Sequence, residues 1–201
     1  CLSPKPIDRP QSCAELLALL DSESPPRPRP QTGETWVEDD TPVEKPTVEE
    51  TDQSTQGRRA SVNVLVTDPS GVGSVVELLV EAWPGDGSVE GPPGVERDTR
   101  LAAQLAVAVG LGVQARHWNL RWGSRDPGLR LHGSSVGLGL SIAAAALGRG
   151  QTVPSNMAFT GGMDLDGKVA QVGGVPAKIE AARKAGLQRV LVPKGEALQT
   201  A

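Results

Sequence analysis

The feature that most limits what this chain can fold into is a break in its composition. Residues 1–56 hold 9 of the 17 prolines and carry 12 acidic against 5 basic residues, while the other 145 residues carry 12 acidic against 15 basic. Ser22 to Gln56, with its PPRPRP run and acidic clusters, has too little apolar surface to offset the entropy of ordering. A disordered or polyproline-like linker is expected there. Before it, only Cys13 to Leu20 (CAELLALL) patterns as a helix, and it is shorter than an isolated helix needs to be stable. The expected division is a Pro-rich acidic segment over 1–59 and a packed domain over the 142 residues of 60–201, of ordinary domain size.

Composition removes several classes of function. A net charge of −4 does not suit a dedicated nucleic-acid binder, which must neutralise a run of phosphates. No apolar stretch reaches the roughly 18 residues of a membrane-spanning helix. Two cysteines, Cys1 and Cys13, make neither a disulfide framework nor a zinc site of usual spacing, so no metal is expected. Five aromatics, Trp36, Trp83, Trp118, Trp122 and Phe159, leave a core of Val, Leu, Ile and Ala. The first residue is Cys rather than Met, which points to an excised or processed piece. A lipoprotein keeps such a cysteine after signal cleavage, which is the alternative.

From Ala60 the pattern is that of an α/β (α+β) domain. SVNVLVT (61–67) alternates as a strand, Asp68-Pro69-Ser70-Gly71 turns, and SVVELLVEA (74–82) returns as the second strand of a hairpin. Glu96 to Val109 has Leu101, Leu105, Ala108 and Val109 at helical spacing, with Gly110 and Gly112 as stops. HWNLRW (117–122) reads as a strand, and Ser135 to Leu147 as a buried helix. MAFTG and KVAQVGG, either side of the turn at Asp164-Leu165-Asp166-Gly167, read as a strand pair; Pro176 to Ala185 is a helix and RVLVP (189–193) a last strand.

Several motifs compete for the function. Gly162 to Lys168 matches the first seven positions of a phosphate-binding loop, but Val169 stands where Ser or Thr must hold magnesium. The following helix that would receive the phosphate is also missing. Gly137-Leu138-Gly139 lacks the third glycine of a dinucleotide site. His117 and His132 are too few for a metal centre, and His117 reads as structural on its strand. More informative is Gly133-Ser134-Ser135-Val136-Gly137, which puts Ser135 at a helix start where amides lack intrahelical partners. Such donors stabilise an oxyanion. Gly173-Gly174-Val175-Pro176-Ala177-Lys178 puts Lys178 one turn into another helix. A lysine with a pKa of about 10.4 in water must be desolvated to act as a base near neutral pH.

Together these residues carry a resemblance. The stretch from His132 to Pro193 closely resembles the proteolytic domain of Lon proteases. The family's D-G-P-S-A-G motif corresponds to His132-Gly133-Ser134-Ser135-Val136-Gly137, and its G-G-x-x-x-K motif to Gly173, Gly174 and Lys178. Ser135 and Lys178 are 43 positions apart, the separation the family keeps. Phe159-Thr160-Gly161-Gly162 aligns with an M-T-G-E strand and Leu165 to Val169 with an L-R-G-x-V turn, so the phosphate-loop match is a family hairpin. Residues 60–131 resemble the earlier part of the domain more distantly, in their hairpin, WPGDG turn and helix.

The resemblance implies a Lon proteolytic-domain-like fold and a serine endopeptidase. Ser135 would be the nucleophile, Lys178 the general base and Thr160 the hydroxyl that orients it, with backbone amides of Ser135 and Val136 as the oxyanion site. Two departures stand out: His132 replaces the family's aspartate and Gly162 its glutamate. His132 is a candidate supporting residue, and Ser134 an alternative nucleophile ranked below Ser135. Unfolded polypeptides would be the substrates, a homo-oligomeric ring of six the assembly, and no cofactor is needed. No complete Walker A or B segment occurs in the 201 residues. The domain as it stands would work without ATP or with an ATPase module or partner supplied elsewhere. The alternative is a non-catalytic Lon-like scaffold serving a partner ATPase. No nucleic acid and no membrane span is expected. The expected location is cytoplasmic, with a lipid-anchored or extracytoplasmic one, through Cys1, as the alternative.

Overall fold

The computed structural model describes residues 57–126, 128–164 and 166–194. The Cys13–Leu20 segment, the Pro-rich linker and the last seven positions lie outside the described residues. Strand β1, Arg58–Thr67, turns Val62 and Val64 to one face and Leu65 to the other, and all three are buried. Burial on both sides is what a strand covered by helices above and below requires. Strand β2, Gly73–Pro84, returns antiparallel to it with Thr67 opposite Gly73. Strand β3 is Val89–Glu90, and strand β4, Trp118–Ser124, lies antiparallel to β2 and parallel to β3. On the other side of β1, strand β5, Met157–Phe159, runs parallel to it. A six-stranded mixed sheet results, in the order β3-β4-β2-β1-β5-β8, with β8 being Arg189–Leu191. A small hairpin pairs β6, Gly162–Met163, with β7, Val169–Ala170.

Helices cover both faces. Helix α1, Arg97–Leu111, and helix α2, Gly137–Arg149, pack with Val62, Val64, Leu78 and Val80 in the larger core. A Cβ placed on Gly139 of α2 would lie 2.4 Å from Val64 Cγ1, so the helix sits directly on β1. Helix α3, Val175–Lys184, closes the opposite face, where Leu65, Ala158, Ala182 and Val190 form the smaller core with Ile179. Among the described residues no helix is long and apolar enough to cross a membrane.

Four expectations need correction. Gly110 does not stop α1; it lies inside the helix, where a Cβ would come within 2.2 Å of the Ser141 carbonyl oxygen of α2. Gly112, with φ 56 and ψ −130, is the stop. The stripe of Leu101, Leu105, Ala108 and Val109 is not the core face either: Leu101 is 50% exposed, and Thr99, Ala103, Ala106, Val107 and Leu111 are buried instead. Close approach to α2 at Gly110 turns the face of Ala103, Ala106 and Val107 inward, where small side chains let the two helices meet. His117 ends a 3-10 helix, Gly112–His117, rather than lying on a strand, and its Nε2 accepts from Arg116 Nε at 3.1 Å. Finally, MAF does not pair with KVAQV. It is buried on both faces in the main sheet, and the hairpin partner of β7 is Gly162-Met163.

Candidate functional site

Three parallel strands, β1, β5 and β8, end side by side, and Thr160 stands at the point where they do so. Its N–H donates to Leu191 O of β8 at 3.0 Å, and its Oγ1 donates to Leu65 O of β1 at 3.3 Å. The crevice outside the carboxyl ends of parallel strands is where open α/β sheets place their sites. Thr160 is fully buried and follows Ala158 by two positions, so it faces α3. From α3, Lys178 Nζ donates to Thr160 Oγ1 at 3.1 Å, and Lys178 is only 2% exposed. The single hydroxyl proton of Thr160 is engaged by Leu65, so its oxygen accepts from the amine.

Local chemistry sets the entry of α3. Gly174 caps it with φ 70, a left-handed conformation that favours glycine, and its carbonyl accepts from Lys178 N at 3.1 Å. A side chain on Gly174 would also meet Thr67 at 2.7 Å. At the start of β2, a Cβ on Gly73 would stand 2.2 Å from Ala177 O and 2.9 Å from Lys178 N. Both ends of the β1–β2 connection therefore press on the turn that carries the lysine. Within that connection, Asp68 Oδ1 accepts from Ser70 Oγ at 2.7 Å and from Val72 N at 2.9 Å. These bonds, the Ser70 one foremost, hold the Asp68 carboxyl below its usual range.

Ser135 lies in a turn two residues before α2 begins, not at the first helical position, and is half-buried. Its carbonyl accepts from Gly161 N at 3.1 Å, and Leu138 N donates to Gly161 O at 2.8 Å. Ser135 is thereby tied to the residue next to Thr160. Val136 occupies the N-cap position of α2, and Gly137 N donates to Ser134 O at 2.9 Å. Ser134 is exposed, and its Oγ lies 3.2 Å from where a Cβ on Gly162 would be. His132 turns away from this cluster toward α1, with Nδ1 2.9 Å from Glu96 Oε1.

The described residues around Asp164 and Lys168 belong to the β6–β7 hairpin, not to a phosphate cradle. Asp164 Oδ1 accepts from Asp166 N at 3.0 Å and from Lys168 N at 2.7 Å, and Lys168 Nζ lies 3.5 Å from Asp166. Among the described residues, no three His, Cys, Asp or Glu side chains gather as a metal centre would need. Four contributors escaped the sequence reading: the Leu65 carbonyl, Thr67, Gly73 and Glu96. Each acts across a long chain separation, and only Gly73, a glycine at a strand entry, carried a local sign.

The domain is thus an α/β/α sandwich with a buried lysine at its strand ends and a glycine-bounded serine turn beside it. Residues 128–200 match the family profile of the Lon protease (S16) C-terminal proteolytic domain. The chain is 30% identical over 137 residues to Lon protease 1 of Thermus thermophilus, covering 63% of this chain and 17% of that protein. It is 32% identical over 139 residues to the Lon protease of Mycolicibacterium smegmatis, covering 62% and 17%. With the archaeal Lon protease of Archaeoglobus fulgidus it shares 29% over 140 residues, or 66% and 22%. The match to the Lon-type C-terminal proteolytic domain lies in residues 128–200, and the chain spans less than a quarter of the length of these relatives.

Proposed function

We propose that this domain hydrolyses peptide bonds through Ser135 and Lys178. The observation that carries the reading is the buried bond from Lys178 Nζ to Thr160 Oγ1, one residue from the amide that holds the Ser135 turn. Burial disfavours the charged form of an amine, and a neutral lysine is what a general base must be. Thr160 accepts rather than donates in this bond, so it orients the amine without consuming its lone pair.

In the reaction, Ser135 Oγ attacks the substrate carbonyl as Lys178 Nζ takes its proton. The resulting oxyanion needs donors from the turn. Gly137 N and Leu138 N are engaged already, which points to the amides of Ser135 and Val136. Lys178 returns the proton to the leaving amine, and an acyl-enzyme forms. Water then attacks the acyl carbon as Lys178 takes its proton, and Lys178 passes that proton to Ser135 Oγ as the ester bond breaks and the acid product leaves. His132, expected from the sequence as a supporting residue, faces Glu96 rather than the reacting groups and takes no direct part in these steps. The substrates are unfolded polypeptides, which an exposed turn can receive, and the working assembly is a ring of six. ATP enters only through an ATPase module or partner.

The test is cleavage of unfolded casein by the purified chain without ATP, beside Ser135→Ala. Cleavage lost in that variant is the expected result. A folded wild type that stays inert with and without a candidate ATPase overturns the reading. It would favour a second one, a non-catalytic scaffold, for which the observations are His132 and Gly162 in place of the family's two carboxylates.

A further inference from the structure

The turn carrying Ser135 is held unevenly. After it, Ser135 O and both polar groups of Gly161 form the bonds that fasten it to the end of β5. Before it, Leu131 is buried, but His132, Gly133 and Ser134 are all exposed. Gly133 takes φ +75, and nothing lies within 4 Å of where its Cβ would be. A glycine in open space gives this stretch backbone freedom just where a nucleophile has to be presented in one orientation. The contact that bridges the gap is His132 Nδ1 to Glu96 Oε1, at 2.9 Å. Glu96 is the N-cap residue of α1, yet its side chain makes no capping bond to that helix; it reaches the loop instead. Helix α1 in turn is locked to α2 where Gly110 meets Ser141. Glu96 therefore ties the loop before Ser135 to the helix that follows it.

We propose that Glu96 is a positioning residue: through His132 it restrains residues 132–134 and so keeps Ser135 presented to Lys178 and the substrate carbonyl. The inference rests on the peptidase reading for its catalytic readout. An Nδ1–H can donate to the carboxylate in both the neutral and the charged imidazole, so the tether does not depend on a charged histidine. The side chains are 51% and 57% exposed, and pairs this exposed act weakly, so the expected effect is a change of about two- to fivefold.

The experiment compares the full chain with Glu96→Ala, Glu96→Gln, His132→Ala and the Glu96→Ala/His132→Ala double variant. It measures kcat and KM on a short fluorogenic peptide, labelling of Ser135 by a fluorophosphonate, the thermal midpoint, and amide exchange of residues 131–136. Glu96→Ala is expected to lower kcat and labelling by about two- to fivefold and to speed exchange in the loop, with KM and the midpoint unchanged. Glu96→Gln keeps an acceptor oxygen and restores most of the rate. The double variant is no worse than either single one, as partners in one contact require. Additive losses, or a loss that tracks the midpoint, overturn the proposal. If the wild type neither cleaves nor labels, the peptidase reading fails, and loop exchange alone decides: unchanged exchange in Glu96→Ala removes the tether as well.

Discussion

The lysine side and the serine side of the site are built in opposite ways. Lys178 is buried, bonded to a fully buried Thr160, and pressed from outside by Gly73 against its own backbone. Ser135 is half-buried on a turn whose preceding three residues are exposed. On the proposed peptidase reading, the difference follows from what each group must do. A lysine becomes a base by being kept from water, so its surroundings are close-packed and intolerant of added atoms. A nucleophile must be reached by a polypeptide, so its loop stays open and is steadied by hydrogen bonds rather than by packing.

The largest expected effect removes either partner. Ser135→Ala and Lys178→Met should each lower peptidase kcat by on the order of a thousandfold or more, and the double variant little further, because the two act as one unit. Single-turnover assays on a short peptide check this. A Lys178→Met variant that keeps a tenth of the rate would show that the buried amine is structural, and the contrast between the two sides would lose its chemical meaning.

Next come substitutions that probe packing against openness. Gly73→Val forces atoms into the Ala177–Lys178 backbone and should lower stability by about 2 to 3 kcal/mol. Gly133→Ala meets no neighbour and incurs only its left-handed φ, about 1 kcal/mol. Denaturant midpoints distinguish them. Equal losses would mean that the lysine side is no more tightly determined than the serine side. Thr160→Val is isosteric but leaves the buried amine without that acceptor, a loss of about 1 to 3 kcal/mol. Its activity should fall by about tenfold or more while KM holds.

The closeness of Thr160 and Lys178 was legible only through the resemblance of their two short motifs to those of one family; glycines alone marked turns, not partners. The hairpin 61–82 was legible because alternation and a D-P-S-G turn are local signals. Other features were not, for a physical reason in each case. In α1 the leucines marked a helix, but periodicity alone cannot say that a glycine contact with α2 gives the core to Ala103, Ala106 and Val107. Met157-Ala158-Phe159 reads equally as hairpin arm or central strand; only its neighbours β1 and β8 decide. The contacts of Gly73 with Ala177 and of Glu96 with His132 join residues far apart in the chain, and no spacing rule reaches that far.

The smallest effect expected is on the lysine side, at the turn joining β1 to β2. Ser70 Oγ and the Val72 amide hold the Asp68 carboxyl below its ordinary 3.8. A carboxyl whose folded pKa is depressed contributes stability above its unfolded pKa and loses it as pH falls through the folded value. The contribution is therefore whole at neutral pH and disappears in acid, below about pH 3.8. Asp68 is fully exposed to solvent, so water screens the effect and the shift in midpoint should be slight. Asp68→Asn should flatten that acid limb while leaving the midpoint at pH 7 nearly unchanged, since its amide oxygen still accepts from Ser70 and Val72. Thermal unfolding of both proteins from pH 2.5 to 7 measures this. If Asp68→Asn also loses peptidase rate at pH 7, the turn transmits more than stability: Thr67 and Gly73 at its two ends, which touch Gly174 and Ala177, would then be setting the position of Lys178 through the ionised carboxylate, and the rigidity of the lysine side would have an electrostatic origin as well as a steric one.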